Sequence, residues 1–242
     1  MSEFSPAIAD FWLTTFLGGE VLCRNGDFTV AIQPGLSEDR RLMVLETAEG
    51  RVMAVMTPAL ADRLALRSQP QLSEPQLRRI LRDAGLALHG ADYIFYFPQA
   101  DKAALADDAP ALEVRRLTER DEAAFAEFQA SASEQDLDDA YVELDHWAVF
   151  GAIEQGRLTC AASMYPWSNA RVADLGVLTL PPFRSRGHAR AVVRAISRHA
   201  CEQGHEPQYR CQLDNQASVA LAKAAGLRLF GKWEVISPDA AE

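Results

Sequence analysis

Long uncharged apolar runs are missing from this 242-residue chain. None approaches the roughly 18 to 20 residues that a bilayer-spanning helix needs, so an integral membrane protein is not expected. Cysteine is scarce: Cys23, Cys160, Cys201 and Cys211 are the only four. They lack metal-ligand spacing, so no metal is expected, and a chain of this length buries a sizeable core without disulfides. No basic segment followed by an apolar run and a cleavage site opens the chain, and the expected compartment is the reducing cytoplasm. Basic residues are in deficit, 24 Lys and Arg against 34 Asp and Glu for a formal net charge of −10. That balance argues against a surface built for nucleic acid. Internal repeats and low-complexity tracts are absent too. What remains, 48% hydrophobic and 24% charged, is the composition of one large globular domain or two modest ones.

The charge is segregated along the chain. Residues 111–146 carry 3 basic against 11 acidic side chains, whereas residues 147–242 carry 11 against 8. A break falls at Pro98–Pro110, where PQADKAALADDAP separates the strand-like DYIFYF from the strand-like LEVRRL. The expected organisation is a smaller N-terminal α+β domain over 1–108 and a second domain over 112–242. Before the break, Pro6–Phe16 reads as a helix and Phe28–Ile32, Arg41–Glu46 and Arg51–Met56 as strands. Ser73 and Gln76 form a capping box ahead of a helix carrying Leu77, Ile80 and Leu81, which is expected to pack on that sheet. No nucleophile motif, metal cluster or phosphate loop marks this half.

After the break, Thr118 and Asp121 open a helix carrying Ala123, Phe125 and Phe128. Strands are expected at His146–Ile153, Leu158–Tyr165 and Val172–Leu180. A helix over Gly187–Gln203, a strand Gln208–Leu213, a helix Asn215–Ala225 and a strand Leu229–Ile236 follow. Consecutive strands giving way to β-α-β-α-β alternation imply an α/β, or α+β, fold with a mixed sheet and helices on both faces.

The chemistry concentrates in ADLGVLTLPPFRSRGHARAVVRAISRHA, an apolar strand running through Pro-Pro into an arginine-rich loop and then a helix. The first N–H groups of a helix lack intrahelical partners and sit at the positive end of its dipole, so such a junction suits a phosphate. Gly187 and Ala189 allow close approach. Arg184, Arg186, Arg190, Arg194 and Arg198 lie in fifteen residues free of acids. The last three recur at i, i+4 and i+8, as either an ordinary solvated helix face or a stripe that neutralises phosphates.

Arg184-Ser185-Arg186-Gly187-His188-Ala189 fits Q/R-x-x-G-x-G/A and resembles the acyl-CoA pyrophosphate loop of the GNAT superfamily of N-acetyltransferases. Asn215-Gln216-Ala217-Ser218 through Gly226-Leu227 is similar to that family's N-x-x-A/S…G-F helix. The resemblance covers about residues 112 to 238. It implies the acyl-CoA N-acyltransferase fold, with the fourth and fifth strands splayed into a V, and acetyl-CoA as cosubstrate. Val177, Leu178 and Thr179 would then bond the pantetheine through their backbone, Arg186–Ala189 would hold the pyrophosphate, and Asn215 and Ser218 would contact the rest. Helix capping alone also accounts for Asn215.

Acyl transfer to an amine requires a neutral nucleophile, although a lysine-like amine with a pKa of about 10.4 is protonated at neutral pH. A base or a water chain must take that proton, and the departing thiolate benefits from an acid. Here the chain departs from the family. Many members carry a tyrosine four residues before the second helix's glycine, where this chain has Ala222. Many also carry a glutamate on the fourth strand, where only Asp174 stands, facing either side. Glu143 and Asp145, two apart and on one face if extended, are candidates for water-mediated base or amine anchor, with a solvated acidic face as the alternative. Tyr141 and Tyr165 are candidate replacements for the acid. His188 is expected to project outward from the loop, and His146 carries no assigned role. Cys160 and Cys211 read as buried small residues, so no acyl-enzyme is expected. Trp147, Trp167 and Trp233 are pocket or core residues.

The expected function is direct transfer of an acetyl group from acetyl-CoA to a primary amine, a cationic small molecule or a peptide amine, in a ternary complex. The alternative is a binding module that keeps acyl-CoA recognition and has lost turnover. An amine acceptor is the expected partner, nucleic acid and membrane are not, and a homodimer is left open.

Overall fold

The computed structural model describes residues 3–69, 71–105, 113–167 and 170–237. In chain order the elements are α1 (Pro6–Leu17), β1 (Glu20–Asn25), β2 (Phe28–Ile32), β3 (Leu42–Thr47), β4 (Val52–Met56), α2 (Pro58–Arg63), α3 (Glu74–Asp83), β5 (Asp92–Tyr96) and β6 (Glu113–Arg116). Then come α4 (Glu122–Ala130), α5 (Glu134–Ala140), β7 (Ala148–Glu154), β8 (Arg157–Pro166), β9 (Val172–Thr179), α6 (His188–Glu202), β10 (Glu206–Gln212), α7 (Gln216–Ala225) and β11 (Arg228–Val235). No helix among the described residues is long and apolar enough to cross a membrane.

The chain divides into two compact units that exchange segments. One comprises Met1–Ile8, Phe95–Arg210 and Asn215–Arg228, the other Ala9–Ile94, Cys211–Asp214 and Leu229–Glu242. Part of the expected linker folds as a 3-10 turn at Gln99–Leu105, and its remainder lies outside the described residues.

The unit built on Ala9–Ile94 orders its strands β1-β2-β4-β3-β11, with β2 and β4 parallel and the other neighbours antiparallel. Strand alternation sends Val30, Ile32, Leu42, Val44, Ala54 and Met56 into one core cluster. Leu60 of α2 and Leu77 and Leu81 of α3 join it. The Ser73–Gln76 capping box starts α3 as expected. Trp12 of α1 packs on Phe230 and Trp233 of β11, with ring centroids 6.0 and 6.4 Å away, so Trp233 is a core residue.

The unit that carries the candidate site orders its strands β10-β9-β8-β7-β6, with β9 and β10 parallel and the rest antiparallel. Helices cover both faces. Val149 of β7 joins Phe125 and Phe128 of α4, Ala161 and Leu178 in one cluster, while its neighbour Phe150 meets the ring of His199 on α6 at 5.6 Å. Helix α6 turns Val192, Val193, Ile196 and Ala200 fully inward. The parallel ladder is short: it runs from Glu206↔Val172 to Tyr209↔Leu175, whereas β9 continues to Thr179. Over Gly176–Thr179 the ladder with β8 persists alone, so the other edge of β9 is open.

The acidic stretch corrects one expectation. Glu134–Ala140 is helix α5, with Ser133 Oγ accepting the Asp136 N–H at 3.1 Å, and it stops at Tyr141 in the left-handed region at φ 45°. Glu143 and Asp145 therefore sit in the turn that follows rather than in an extended segment.

Candidate active site

The end of β9 leads through a 3-10 turn, Pro181–Phe183, into a sharply bent loop. Ser185 at φ 62° and Gly187 at φ 86° both occupy the left-handed region, a conformation that costs a non-glycine residue free energy and recurs at functional sites. Gly187 is the N-cap of α6 and has no side chain to bond the helix's first N–H groups, and a Cβ built on it meets nothing within 4 Å. A helix start with a glycine cap and free space beside it fits a diphosphate.

The loop's side chains are engaged. Arg184 donates from Nε to the Thr179 carbonyl at 3.1 Å and from Nη2 to Asp136 at 3.0 and 3.1 Å, tying the loop to both β9 and α5. Arg186 bonds Glu154 at 3.3 Å and lies over the Phe183 ring at 5.2 Å. His188 does not project outward as expected. It is 2% exposed, its Nδ1 lies 3.0 Å from Thr159 Oγ1 and its Nε2 lies 3.1 Å from Glu154. Being the first residue of α6, it shares that helix's inward face, and Ala189 behind it is half-buried.

The arginine stripe makes contacts that its spacing did not suggest. Arg190 Nε donates to the Ala224 carbonyl at 2.9 Å, and Arg194 donates to the Ala225 and Ala104 carbonyls at 2.7 and 3.0 Å. The last carbonyls of α7 lack intrahelical donors and carry the negative end of its dipole, so guanidinium groups from the neighbouring helix satisfy them. Arg198 lies 3.9 Å from Glu202 on its own helix. At the other end of α7, Asn215 Oδ1 accepts the Ser218 N–H at 3.0 Å, a helix cap.

Along the open edge of β9, Val177 and Thr179 are half-buried, while Leu178 points into the core with Phe125 and Phe128. Thr179 Oγ1 donates to Cys160 Sγ at 3.1 Å, and burial pushes the Cys160 thiol up to about 12. Such a thiol is no nucleophile at neutral pH.

A second group of residues gathers where α5 ends against β9. A Cβ on Gly176 would lie 2.0 Å from the Ala140 carbonyl oxygen, so only glycine permits this approach. The rings of Tyr141, His146 and Tyr165 meet pairwise at centroid distances of 4.9 to 5.9 Å. Ser163 of β8, paired with Gly176, is buried beneath them. Its Oγ lies 2.8 Å from His146 Nδ1, accepts the Glu143 N–H at 3.2 Å and donates to the Tyr141 carbonyl at 3.5 Å. Burial holds the His146 imidazole below its ordinary value, against the opposing pull of Asp145 and Glu143. Nothing in the sequence pattern singled out Ser163.

Asp174 faces the same side two residues before Gly176, yet both its oxygens are taken. Arg210 bonds them from Nε at 3.0 and 3.1 Å and from Nη2 at 2.6 Å, Gln208 donates at 2.9 Å and Tyr165 OH at 3.3 Å. Burial, with Asp174 next, pushes the Tyr165 phenol up to about 12. Arg210 in turn stacks on Trp167 at 5.0 Å, so Trp167 is a wall of this network. Glu143 and Asp145 are brought together elsewhere. Both line an open cleft of about 1190 Å³ together with Arg116, Glu119, Arg120, Glu122, His146 and Trp147. Gln129 holds Glu143 loosely, at 3.5 Å.

A mixed sheet with helices on both faces and a parallel pair that opens ahead of a left-handed loop defines the acyl-CoA N-acyltransferase fold. The family model described as GNAT acetyltransferase matches residues 97–236, more than half of the chain, and the protein belongs to that family. An acetyltransferase of the GNAT family from Colwellia psychrerythraea aligns with 76% of this chain and 75% of its own, at 18% identity and a TM-score of 0.53. A GCN5-related N-acetyltransferase-like protein from Streptococcus suis covers 84% and 87% at 16% identity and a TM-score of 0.46. For a GNAT-family protein from Novosphingobium aromaticivorans the shares are 63% and 66%, at 17% identity and a TM-score of 0.45, so this chain spans just under two thirds of it. No curated protein matches the chain. At these identities the likeness concerns the fold.

Proposed function

We propose that the protein transfers an acetyl group from acetyl-CoA to a primary amine by direct attack in a ternary complex. The open edge of β9 at Gly176–Thr179, running into the glycine-capped turn at Ser185–Gly187, carries this reading. The strand edge offers backbone groups to the pantetheine amides, and the N–H groups of Arg186–Ala189 offer donors to the diphosphate. Acetyl-CoA supplies the activated acyl group. Glu143 and Asp145 anchor the acceptor's positive charge in the cleft, whose lining carries four carboxylates against two guanidinium groups. A cationic amine, free or on a peptide, is the acceptor that charge balance favours. Nucleic acid and membrane have no part in this reading, and four free cysteines suit a reducing cytoplasm.

The test is calorimetric titration of acetyl-CoA into the intact protein and its Gly187→Glu variant, followed by thiol release over an amine panel. Saturable binding lost in the variant and turnover with polyamines or lysine-like amines support the proposal. Preference for anionic or uncharged amines defeats the charge argument. A second reading, an acyl-CoA-binding sensor without turnover, draws on the fully buried Ala222, where many relatives have a tyrosine, and on the occupied carboxylate of Asp174. Tight binding with no thiol release across the panel would establish it.

A further inference from the structure

We propose that His146 is the general base of this transfer, with Ser163 as the positioning residue that fixes its reactive tautomer. The inference rests on the acetyltransferase reading above and names the group that reading lacks.

A serine hydroxyl accepts two hydrogen bonds and donates one. Ser163 Oγ has three neighbours that fill this valence: the Glu143 N–H, which can only donate, the Tyr141 carbonyl, which can only accept, and His146 Nδ1. The sense of the 2.8 Å Ser163–His146 contact depends on the tautomer, and the one assigned here places the hydroxyl's proton on the Tyr141 carbonyl at 3.5 Å, so that Oγ accepts from Nδ1–H. The proton on Nδ1 leaves a lone pair on Nε2, the nitrogen that the Ser163 contact leaves free to work. The Tyr141 and Tyr165 rings hold the imidazole plane. His146 also lines the acceptor cleft, and through Ser163 it stands over the Ser163↔Gly176 pair where the open edge of β9 begins. It therefore belongs to both the amine's side and the acyl donor's side of the site.

The charged and titratable groups around the ring are Glu143 and Asp145 on its own loop, Tyr141 at the end of α5 and Tyr165 on β8. Asp174 and Arg210 lie behind Tyr165, and Arg116, Glu119, Arg120 and Glu122 line the same cleft. Burial outweighs the pull of the two nearby carboxylates and holds the imidazole below its ordinary value. In the reaction the amine nitrogen forms a bond to the acyl carbon, the carbon–sulfur bond breaks, and the nitrogen's surplus proton moves to Nε2. The imidazolium returns that proton to water, and the departing thiolate takes one from water.

Two experiments test this on the intact protein. Long-range proton–nitrogen NMR of the histidines at pH 7.5, with His146→Gln to assign the signal, should show Nδ1 protonated and Nε2 bare. Ser163→Ala should release this into a tautomer mixture. A dominant Nε2–H form in the parent protein overturns the proposal. In thiol-release kinetics, kcat/KM of the parent should fall on the acid side of an apparent pKa below the ordinary histidine value of about 6.5. His146→Gln should lose about 10²- to 10⁴-fold in kcat together with that limb, while calorimetric acetyl-CoA affinity is unchanged. Added imidazole should restore part of the rate to His146→Ala. A His146→Gln enzyme that keeps its rate and acid limb overturns the base assignment alone. A parent protein that releases no thiol with any amine overturns the acetyltransferase reading and this one with it.

Discussion

Gly176→Ala tests whether the approach of α5 to β9 shapes the site. The added Cβ would lie 2.0 Å from the Ala140 carbonyl oxygen, a backbone atom, and 3.2 Å from its carbon. Ordinary contact requires roughly 3.5 Å, so helix and strand must separate by about 1.5 Å. Overpacking of this kind costs about 1–3 kcal/mol, which in a chain of this size lowers Tm by about 2–12 °C. The displaced segment leads straight into Tyr141, whose carbonyl receives the Ser163 hydroxyl and whose ring packs on His146. A shift of about 1 Å in such a group can cost 10²-fold in rate. We therefore expect kcat in thiol release to drop by about 10²-fold, with acetyl-CoA still bound through the loop at Gly187. Gly35→Ala is the control, since a Cβ there meets nothing within 4 Å. A Gly176→Ala protein with parental Tm and kcat would refute the argument that this contact is tight and mechanistically coupled.

Three more expectations follow from individual contacts. Asp174→Asn leaves the partly buried Arg210 without its counter-charge and should cost about 2–4 kcal/mol in denaturant unfolding while the pH profile of turnover keeps its shape; a lost acid limb would instead make Asp174 the base. Arg194→Met strips the donor from the Ala225 carbonyl and should cost about 1–2 kcal/mol with unchanged acetyl-CoA affinity, whereas weakened affinity at full stability would return the arginine stripe to the phosphates. The Arg115 guanidinium, with the Thr118 N–H, holds the Asp121 carboxyl at about 2. Because the folded value is depressed, the stability it contributes is complete above about pH 4 and is lost between about pH 4 and 2. Asp121→Asn should flatten that part of the stability curve, and an unaltered slope contradicts the bond.

Periodicity located the elements that have a strong local signal. Strands β7, β8 and β9 and helices α6 and α7 lie within two residues of their expected bounds, because their apolar positions recur at the period of a buried face. Three elements were illegible for definite reasons. Strand β1 buries only Cys23, so its alternation is faint, and α2 is six residues long, too short for a period to emerge. The acidic stretch hid α5, since Glu134, Asp136, Asp138 and Asp139 look like a solvated run whether or not they coil. Ser163 was invisible because a serine in a strand carries no mark of the histidine it will meet 17 residues away in sequence.

By itself the sequence determined what depends on neighbours along the chain: the apolar strand, the arginine loop, the glycine at the start of α6, the asparagine cap of α7, and hence the kinship to the acetyltransferases. Where charged and polar side chains end up depended on contacts between elements distant in sequence. Arg190 and Arg194 point at the carbonyls of α7, His188 turns inward to Glu154, Asp174 is held by Arg210, and His146 acquires Ser163. A backbone's local preference follows from its own residues, but a buried polar group must find its partner wherever packing brings one within about 3 Å, and that is a property of the tertiary structure.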